Sequence, residues 1–294
     1  MSELKINNPV YEDLIKLNLI DPKEIRVFHN KTRDGDFKVL IDKSSDLLFL
    51  EKNSLPENYY QESPEAAGFD NFFKKNGYFE DDLRRFNFLK KYIKNNNYLL
   101  DVGSEWGGFL KLSKDYCKKV EGAELNQIAL EYVEKNLKIK VHKDLKLVND
   151  KPDLLTMFHV LEHIPYQLNF LNLAYEKLKS GGNIVIEVPH ANDYLLKKIN
   201  LPEVKDFLFW NEHLVLHTKN SLKAFVDSAG FIEAKIFHIQ RYGFLNHFGW
   251  LHDRKPGGHE KYLDNFNKDL NDSYCRWLIE TENTDTLICV AKKK

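Results

Sequence analysis

The sequence predicts a doubly wound α/β fold with a mostly parallel, seven-stranded sheet and a small N-terminal extension. From Tyr98 onward, short apolar runs alternate with segments of helical spacing, which is typical of a parallel sheet covered on both faces. The 294 residues allow one large domain with a smaller appendage. The expected strands lie near residues 98–102, 120–124, 139–142, 153–159, 183–188, 231–239 and 285–292. The expected helices lie near residues 107–118, 126–137, 165–179 and 218–230.

The N-terminal part has a different pattern. Residues 25–50 alternate apolar and polar side chains around Asp34-Gly35, which is a hairpin signal, and a second turn follows at Ser44-Ser45. Apolar residues recur at helical spacing in residues 81–97. We therefore expect a β-meander and linker over residues 1–80, then a main domain over residues 81–294 with an insertion at 240–284.

Composition excludes several classes of protein. The net charge of −1 gives no bulk attraction for nucleic acid or anionic lipid. No run approaches the roughly 20 apolar residues of a membrane span, and the first residues carry charges where a signal peptide needs an apolar stretch. Cys117, Cys275 and Cys289 show no Cys-x-x-Cys spacing. We expect a cytoplasmic protein with reduced thiols, no metal, no nucleic-acid partner and no membrane insertion.

Carboxylates follow three successive predicted strands, as Asp101, Glu124 and Asp144. In a doubly wound sheet, ligands bind at the carboxyl ends of the strands, where the strand order reverses. Glu124 is placed to accept both ribose hydroxyls of a nucleoside, and Asp144 to accept from an adenine amino group. Taken singly, each carboxylate has an equally good structural explanation: Asp101 could cap the following helix or its loop, Glu124 could be a solvated carboxylate at a helix start, and Asp144 could be a turn residue. Their joint position favours a nucleoside ligand.

The loop after the first of these strands carries a further carboxylate, Glu105, between Gly103 and Gly107. Glycine lets the backbone approach a ligand closely. The loop lacks the G-x-G-x-x-G fingerprint, and Glu105 would repel the pyrophosphate of NAD or FAD. S-adenosylmethionine has no phosphate and carries a sulfonium and an ammonium, so an acidic pocket suits it. The alternative for Glu105 is a side chain turned to solvent.

Four segments in order resemble the class I S-adenosylmethionine-dependent methyltransferases. They are LLDVGSEWGGFL (99–110), DLLTMFHVLEHI (153–164), LKSGGNIVIEVP (178–189) and WNEHLVLHTKNSLKAFVDSAGF (210–231). Glu105 departs from the D-x-G-x-G-x-G pattern of the first motif. The resemblance covers about residues 98–239 and implies a Rossmann-like methyltransferase sheet with S-adenosylmethionine as cofactor. The second and fourth segments resemble a bacterial branch that methylates sugars and related small molecules.

The resemblance also implies site residues. In the family, the residues matching Asp101, Gly103, Glu124, Asp144 and His159 line the cofactor pocket. We expect neighbouring positions to contact the cofactor as well, namely Ser104, Glu105, Trp106, Gly107, Phe109 and Leu125. Some members of the branch carry an N-terminal zinc ribbon, whereas the meander of this chain has no cysteine. Its expected role is to flank or cover the active site.

Methyl transfer to a sugar hydroxyl needs in-line positioning and removal of the hydroxyl proton, which a neutral histidine can accept. In sugar-methylating relatives, the residues matching Glu212, His213 and His163 lie at the acceptor. We therefore expect His213 to be the base, with Glu212 and His163 in support. Taken singly, each histidine could instead have a structural role, such as a hydrogen bond to backbone.

The 240–284 insertion begins with a segment dense in aromatic residues, histidine and arginine, which suits a carbohydrate acceptor. The expected substrate contacts are His190, Arg241, Tyr242, Asn246 and His247. The alternative is a helical hairpin that packs on the sheet edge or on a partner subunit, so a homo-oligomer stays open. Tyr59-Tyr60 and Arg84-Arg85 could fold over the ligands, and the arginine pair could equally be a solvated helix face.

The sequence therefore predicts a methyltransferase for a hydroxyl or carbon of a bacterial carbohydrate, such as a nucleotide-linked, capsule or lipopolysaccharide sugar. The alternatives are a methyltransferase for another small molecule, such as a quinone precursor or a phosphate-bearing metabolite, and a methyltransferase-like binding subunit without activity.

Overall fold

The computed structural model describes residues 5–56, 58–62 and 71–294, and its strands form two sheets. In chain order the strands are β1 (Ile25–His29), β2 (Val39–Asp42), β3 (Leu48–Leu50), β4 (Tyr98–Val102), β5 (Lys119–Ala123), β6 (Val141–His142), β7 (Leu154–Phe158), β8 (Asn183–Pro189), β9 (Val215–Leu216), β10 (Ile232–Ile239) and β11 (Thr286–Lys292). The larger sheet has seven strands in the order β10-β11-β8-β7-β4-β5-β6. The strands from β8 to β6 in this order are parallel, and β11 is antiparallel to both β8 and β10. The predicted doubly wound, mostly parallel sheet is confirmed.

Helices connect the strands. They are α1 (Val10–Lys16), α2 (Tyr59–Glu62), α3 (Asn71–Asn76), α4 (Glu80–Leu89), α5 (Gly108–Ser113), α6 (Gln127–Tyr132), α7 (Gln167–Lys177), α8 (Pro202–Leu208), α9 (Lys219–Ser228), α10 (Phe244–Asp253), α11 (Gly258–Lys261) and α12 (Lys268–Glu280). Five of them, α4, α5, α6, α7 and α9, lie at the predicted positions. Helix α4 ends before the predicted residue 97, because the backbone turns after Leu89, whose carbonyl accepts from both Tyr92 and Ile93. No helix in the described ranges is both long enough and apolar enough to cross a membrane.

Residues that alternate along the central strands pack on opposite faces of the larger sheet. Leu100 and Leu155 belong to one buried cluster, whereas Leu99 and Val185 belong to the other. This is the arrangement expected when successive side chains of a strand point to opposite faces and helices cover both. The strands are therefore held rigidly, and their carboxyl ends provide a fixed edge for a ligand site.

The N-terminal strands form a smaller sheet in the order β1-β2-β3-β9, so β9 of the main domain completes it. Its apolar residues, among them Leu40 and Phe49, belong to the same buried cluster as one face of the larger sheet. The predicted hairpin around Asp34-Gly35 joins β1 to β2. Residues 63–70 of the predicted linker lie outside the described residues. The boundary at residue 80 stays a prediction.

The 240–284 insertion is helical, and α10 packs against α11 and α12. The backbone N–H of Phe244 donates to Asn271 Oδ1 at 2.9 Å, and aromatic rings of both helices meet around Tyr194. The insertion is thus helical, as in the alternative interpretation, and it packs against Tyr194 and, through Trp250 and Phe207, against α8.

Candidate active site

A cavity of about 560 Å³ opens at the carboxyl ends of β4, β5 and β7. The strand order reverses between β4 and β7, which is where doubly wound sheets bind ligands. Nine of the predicted site residues line this cavity: Gly103, Glu105, Trp106, Glu124, Leu125, Asp144, His159, His163 and Glu212. The described lining also includes residues that were not predicted, such as Phe79, Lys143, Val160, Ile164 and Phe170. These are mostly apolar side chains, which carry no chemical signal in a sequence.

Glycine is required at the two ends of the β4–α5 loop. Gly103 has φ +70°, and a Cβ there would stand 2.4 Å from Val160 Cγ2. Gly107 has φ +72°, and a Cβ there would stand 2.8 Å from Val133 Cγ2. Between them Glu105 has a φ of +43°, a left-handed conformation that a side chain rarely adopts. The loop therefore keeps a tight, glycine-type turn although a glutamate stands in it.

Glu124 holds this turn in place. Its Oε2 accepts the backbone N–H of Glu105 at 2.8 Å, and its Oε1 accepts that of Asn126 at 2.8 Å. Burial raises the pKa of Glu124 above its usual value, although the two hydrogen bonds act in the opposite direction and lower it. Each carboxylate oxygen has a second lone pair, so Glu124 can still accept a ligand hydroxyl.

Glu105 and Asp144 are the other carboxylates in the cavity wall. The side chain of Glu105 is open to the cavity, yet the surrounding protein is close enough that burial raises the pKa of its carboxyl. Asp144 accepts the backbone N–H of Lys146 at 2.8 Å and so caps the turn that follows β6. Asp144 thus has the turn role that was its alternative interpretation, and it also faces the cavity.

Four predicted cofactor residues lie behind the lining, and they support it. Asp101 is buried, and its Oδ1 accepts from Thr156 Oγ1 at 2.6 Å. Burial raises the pKa of Asp101 to about 8. Phe109 packs edge-on against the lining residue Phe158, with ring centroids 4.9 Å apart. Ser104 and Gly107 shape the loop, and Ser104 Oγ is buried without a hydrogen-bond partner among the described residues.

His159, which has φ +54°, stands between two buried glutamates. Its Nδ1 lies 2.9 Å from Glu162 Oε1, and its Nε2 lies 3.2 Å from Glu187 Oε1. Burial alone would lower the pKa of His159, but the hydrogen bonds to the two glutamates raise it above the usual value. The two glutamates therefore favour the charged form of His159, a residue of the cavity wall.

The far end of the cavity is lined by hydroxyl, carboxylate and imidazole groups. Tyr59 Oη donates to Glu212 Oε1, and Tyr60 Oη lies 3.0 Å from His163 Nδ1. The rings of Tyr60 and His163 pack edge-on at 5.6 Å. Helix α2, which carries both tyrosines, thus lies over the cavity, as the expectation for Tyr59-Tyr60 allowed.

His213 does not line the cavity, but its ring packs edge-on against that of His163 at 4.9 Å. Burial, together with the neighbouring His163, lowers the pKa of His213 to about 3, so its imidazole is neutral. The backbone N–H of Leu214 donates to the carbonyl of Glu162 at 2.9 Å, which ties the two segments together.

The structure brings none of the five predicted substrate contacts into the cavity. His190 is buried against the carbonyl oxygen of Thr284, and His247 is buried against Tyr274 Oη. Asn246 is buried in α10, whereas Tyr242 is partly exposed beside the ring of His259. Arg241 forms an ion pair with Asp81 and lies 3.0 Å from His159 Nε2. The reason is that α10 packs against α11 and α12, which buries the side chains of Asn246 and His247.

An ionic cluster lies beneath the cavity. Arg84 Nη2 contacts both oxygens of the fully buried Glu187, at 2.9 and 3.0 Å, and Arg85 Nε contacts Oε1 at 3.0 Å. Arg84 and Arg85 therefore neither cover a ligand nor form a solvated face. Sequence reasoning missed Glu187, although a charged residue inside the apolar run of β8 is itself a signal of a buried partner.

The residues of this cavity fit S-adenosylmethionine. Glu124 can accept ribose hydroxyls, Glu105 and Asp144 add negative charge for a cationic ligand, and Trp106 and Leu125 provide apolar surface. Gly103 also lines the cavity, and without a side chain its backbone can lie close to a ligand. A pyrophosphate would meet Glu105 and Glu124 at the loop, which disfavours a dinucleotide.

Comparison with known proteins agrees with this geometry. The chain matches a family described as a methyltransferase domain over residues 73–232, more than half of its length. A S-adenosylmethionine-dependent methyltransferase from Archaeoglobus fulgidus has the same fold, with a TM-score of 0.51 and 22% identity over 76% of this chain and 98% of that one. The N-methyltransferase NodS from Bradyrhizobium japonicum, in complex with S-adenosyl-L-homocysteine, has a TM-score of 0.48 and 13% identity over 81% and 99% of the two chains.

A phosphoethanolamine N-methyltransferase from Haemonchus contortus, in complex with S-adenosyl-L-methionine, has a TM-score of 0.45 and 20% identity over 76% of this chain and 55% of that one. No curated protein matches the chain. The family match, the sheet order and the acidic cavity at its switch point agree with one another. The chain belongs to the methyltransferase-domain family and is a class I S-adenosylmethionine-dependent methyltransferase.

Proposed function

We propose that the protein methylates a hydroxyl group or a carbon of a carbohydrate, such as a nucleotide-linked or surface-polysaccharide sugar of bacteria. The observation that carries the proposal is the polar end of the cavity, where Tyr59, Tyr60, Glu212 and His163 stand together. Aromatic rings with hydroxyl and carboxylate groups beside them suit a sugar, because the rings cover its CH surfaces and the polar groups pair with its hydroxyls.

When bound, S-adenosylmethionine supplies a methyl group on a positively charged sulfur. Glu124, Asp144 and the β4–α5 loop would hold its nucleoside end, and Glu105 would face its charged end. Tyr60 orients His163 through a hydrogen bond, and Tyr59 orients Glu212. The acceptor would lie between these side chains and the cofactor, and positioning of this kind can supply much of a methyl-transfer rate. His213 lies behind His163, outside the cavity lining, and in this proposal its ring supports that of His163.

A phosphate-bearing metabolite is one of the alternative acceptors that the sequence leaves open. It is less favoured because the described lining residues include no arginine, and the lining lysine, Lys143, adjoins Asp144 at the cofactor end rather than Glu212 at the acceptor end. A quinone precursor would need more apolar surface than the tyrosine, histidine and glutamate side chains provide there. A binding subunit without activity would have no use for this polar group beside the cofactor loop.

Incubation with labelled S-adenosylmethionine and a panel of nucleotide-linked sugars, with products detected by mass spectrometry, tests the proposal. We expect methylation of at least one sugar. Glu212→Gln and His163→Ala should lower the turnover number by roughly 10²-fold or more, the scale for a removed acid–base or positioning group. The exposed pair Glu12→Gln and His252→Ala serves as the control. Methylation of a phosphate-bearing or quinone-type acceptor, with sugars inert, would reject the carbohydrate proposal.

The proposed cofactor contacts are tested by calorimetry without any acceptor. S-adenosylmethionine should bind with a micromolar dissociation constant, about −7 to −9 kcal/mol, and NAD should not bind. Glu124→Ala should weaken binding by roughly 1–3 kcal/mol, because ribose hydroxyls lose their partner. Glu105→Gln removes the charge alone and should weaken binding about tenfold, whereas Glu105→Gly also relieves the positive φ. Unchanged affinity in both Glu105 variants would mean that this side chain serves only the turn.

A further inference from the structure

Glu162, His163 and His213 form a cluster at the acceptor end of the cavity. Each offers one ligand atom, and the three atoms lie within 4.8 Å of one another. Glu162 and His163 lie in the turn after β7, and His213 lies in the segment before β9. The hydrogen bond from Leu214 N–H to the Glu162 carbonyl, at 2.9 Å, fixes the distance between these two segments.

A second observation points to a missing partner for Glu162. This side chain is fully buried, and its Oε1 is paired with His159 Nδ1 at 2.9 Å. Its Oε2 is also buried but has no hydrogen-bond partner among the described residues. A buried carboxylate oxygen without a partner is costly, and a bound cation is one of the ways in which proteins satisfy it.

The two imidazoles have nitrogen atoms to offer. His163 Nδ1 pairs with Tyr60 Oη, which leaves Nε2 without a hydrogen bond within the described part of the chain. Neither ring nitrogen of His213 forms a hydrogen bond with the described residues, and the two rings are 4.9 Å apart. Tyr60 Oη and Glu212 Oε2, the latter 4.0 Å from His163 Nδ1, are placed as the outer partners that usually orient a histidine ligand.

We propose that Glu162, His163 and His213 bind a divalent transition-metal ion, with zinc or manganese as the class of ion. Two imidazoles and one carboxylate form a donor set typical of such ions, and three protein ligands leave room for a further ligand. Atoms that bind one ion at about 2.0–2.2 Å stand roughly 3–3.5 Å apart. The side chains would therefore have to move closer by about an ångström. The absence of cysteine pairs does not bear on this site, because none of its ligands is a thiol.

The role of the ion rests on the proposed function. His163 lines the cavity beside Glu212, so the open position of the ion would face the acceptor and take its hydroxyl oxygen. An ion there lowers the pKa of that hydroxyl. In the transfer, the bond from sulfur to the methyl carbon breaks, the bond from the acceptor oxygen to that carbon forms, and the hydroxyl proton passes to the Glu212 carboxylate.

Calorimetric titration of the chelator-treated, full-length protein with ZnCl₂ and MnCl₂ tests the site directly. We expect one ion per chain, and we expect His213→Asn and Glu162→Gln to weaken its binding by about 100-fold or more, because each removes one of three ligands. His252→Ala, which removes an exposed histidine, should bind as the wild type does. Co²⁺ gives a check on the wild type alone, since its visible absorption reports nitrogen and oxygen ligands even where a variant fails to fold.

Three results would overturn the site: no binding of Zn²⁺, Mn²⁺ or Co²⁺ by the wild type, undiminished binding in both variants, or an equal loss in His252→Ala. The two proposals can fail separately. An ion that binds while every sugar stays unmethylated supports the metal site and rejects the carbohydrate acceptor. Sugar methylation at full rate in chelator-treated protein supports the acceptor and rejects the proposed role of the ion in catalysis.

Discussion

At the scale of single residues, burial sets the protonation of carboxyl groups far from the cavity as well as beside it. Asp193 is buried at the start of the helical turn 195–199, where its Oδ1 accepts the backbone N–H groups of Leu195 and Leu196 at 2.6 and 3.1 Å. Burial, together with the charge of Asp285, raises the pKa of Asp193 to about 7. Near pH 5 to 6, therefore, the carboxyl group of Asp193 is protonated in the folded protein and ionised in the unfolded chain.

This raised pKa predicts how stability changes with pH. The unfolded value is about 3.9, so between pH 4 and 7 the folded state binds more protons, and stability falls as pH rises through this window. Asp193→Asn keeps the acceptor oxygen and cannot ionise. Its free energy of unfolding should match or exceed that of the wild type, with a difference that grows from pH 4 to 7 by about 1.4 kcal/mol per unit and is constant above.

Urea denaturation at pH 5, 6, 7 and 8 measures the difference. Asp115→Asn, at an exposed aspartate, is the matched control and should track the wild type at every pH. A constant difference between Asp193→Asn and the wild type across this range would contradict the raised pKa.

At the scale of elements, the ionic cluster around Glu187 joins α4 to β8 beneath the cavity. Arg84 and Arg85 come from α4 and Glu187 from β8, while Arg241, which follows β10, pairs with Asp81 of α4. These charges lower the pKa of Glu187 well below its usual value, although burial opposes this. The cluster also holds His159 at the cavity wall.

Glu187→Gln should destabilise the fold by about 3–5 kcal/mol, because it leaves two arginines without their buried counter-charge. Chemical denaturation monitored by circular dichroism measures this. The exposed Glu12→Gln removes the same charge from the surface and should lie within about 0.5 kcal/mol of the wild type. A Glu187→Gln variant as stable as Glu12→Gln would mean that the cluster contributes little to the folded state.

At the scale of the whole molecule, the N-terminal sheet shares its core with the methyltransferase fold. Asn8 is buried, and its Nδ2 donates to the carbonyls of Leu50 and Leu214, each at 2.9 Å. Leu214 adjoins His213, so this contact joins the N-terminal segment to the acceptor end of the cavity. We propose that residues 5–50 fold together with the main domain rather than as an independent unit.

Asn8→Ala should destabilise the protein by about 1–3 kcal/mol, since two buried carbonyls lose their donor. Unfolding should remain a single transition in the wild type and in the variant, because both sheets belong to one buried cluster. Asn30→Ala, at an exposed asparagine, is the control. Two separate thermal transitions in differential scanning calorimetry would show that the N-terminal part folds by itself.

The sequence by itself determined the seven strands of the larger sheet, five of the helices around it, and which strand ends meet at the cavity. The periods of 2 and 3.6 residues are local properties, so they can be read without the fold. Of the three carboxylates at successive strand ends, the rule that parallel strands share a carboxyl edge brought Glu124 and Asp144 to the cavity, whereas Asp101 lies behind its lining. Glycine spacing predicted the tight turn of the loop, and the structure keeps that turn despite Glu105.

Only the tertiary structure decided the acceptor end. Tyr60 and His163 meet across 103 residues of sequence, as do Arg84 and Glu187. The helices of the insertion that was expected to bind substrate pack against one another and against Tyr194, and α2 lies over the cavity instead. Contacts of this kind depend on how distant elements dock, and docking is decided by the burial of whole apolar faces, which no short stretch of sequence contains.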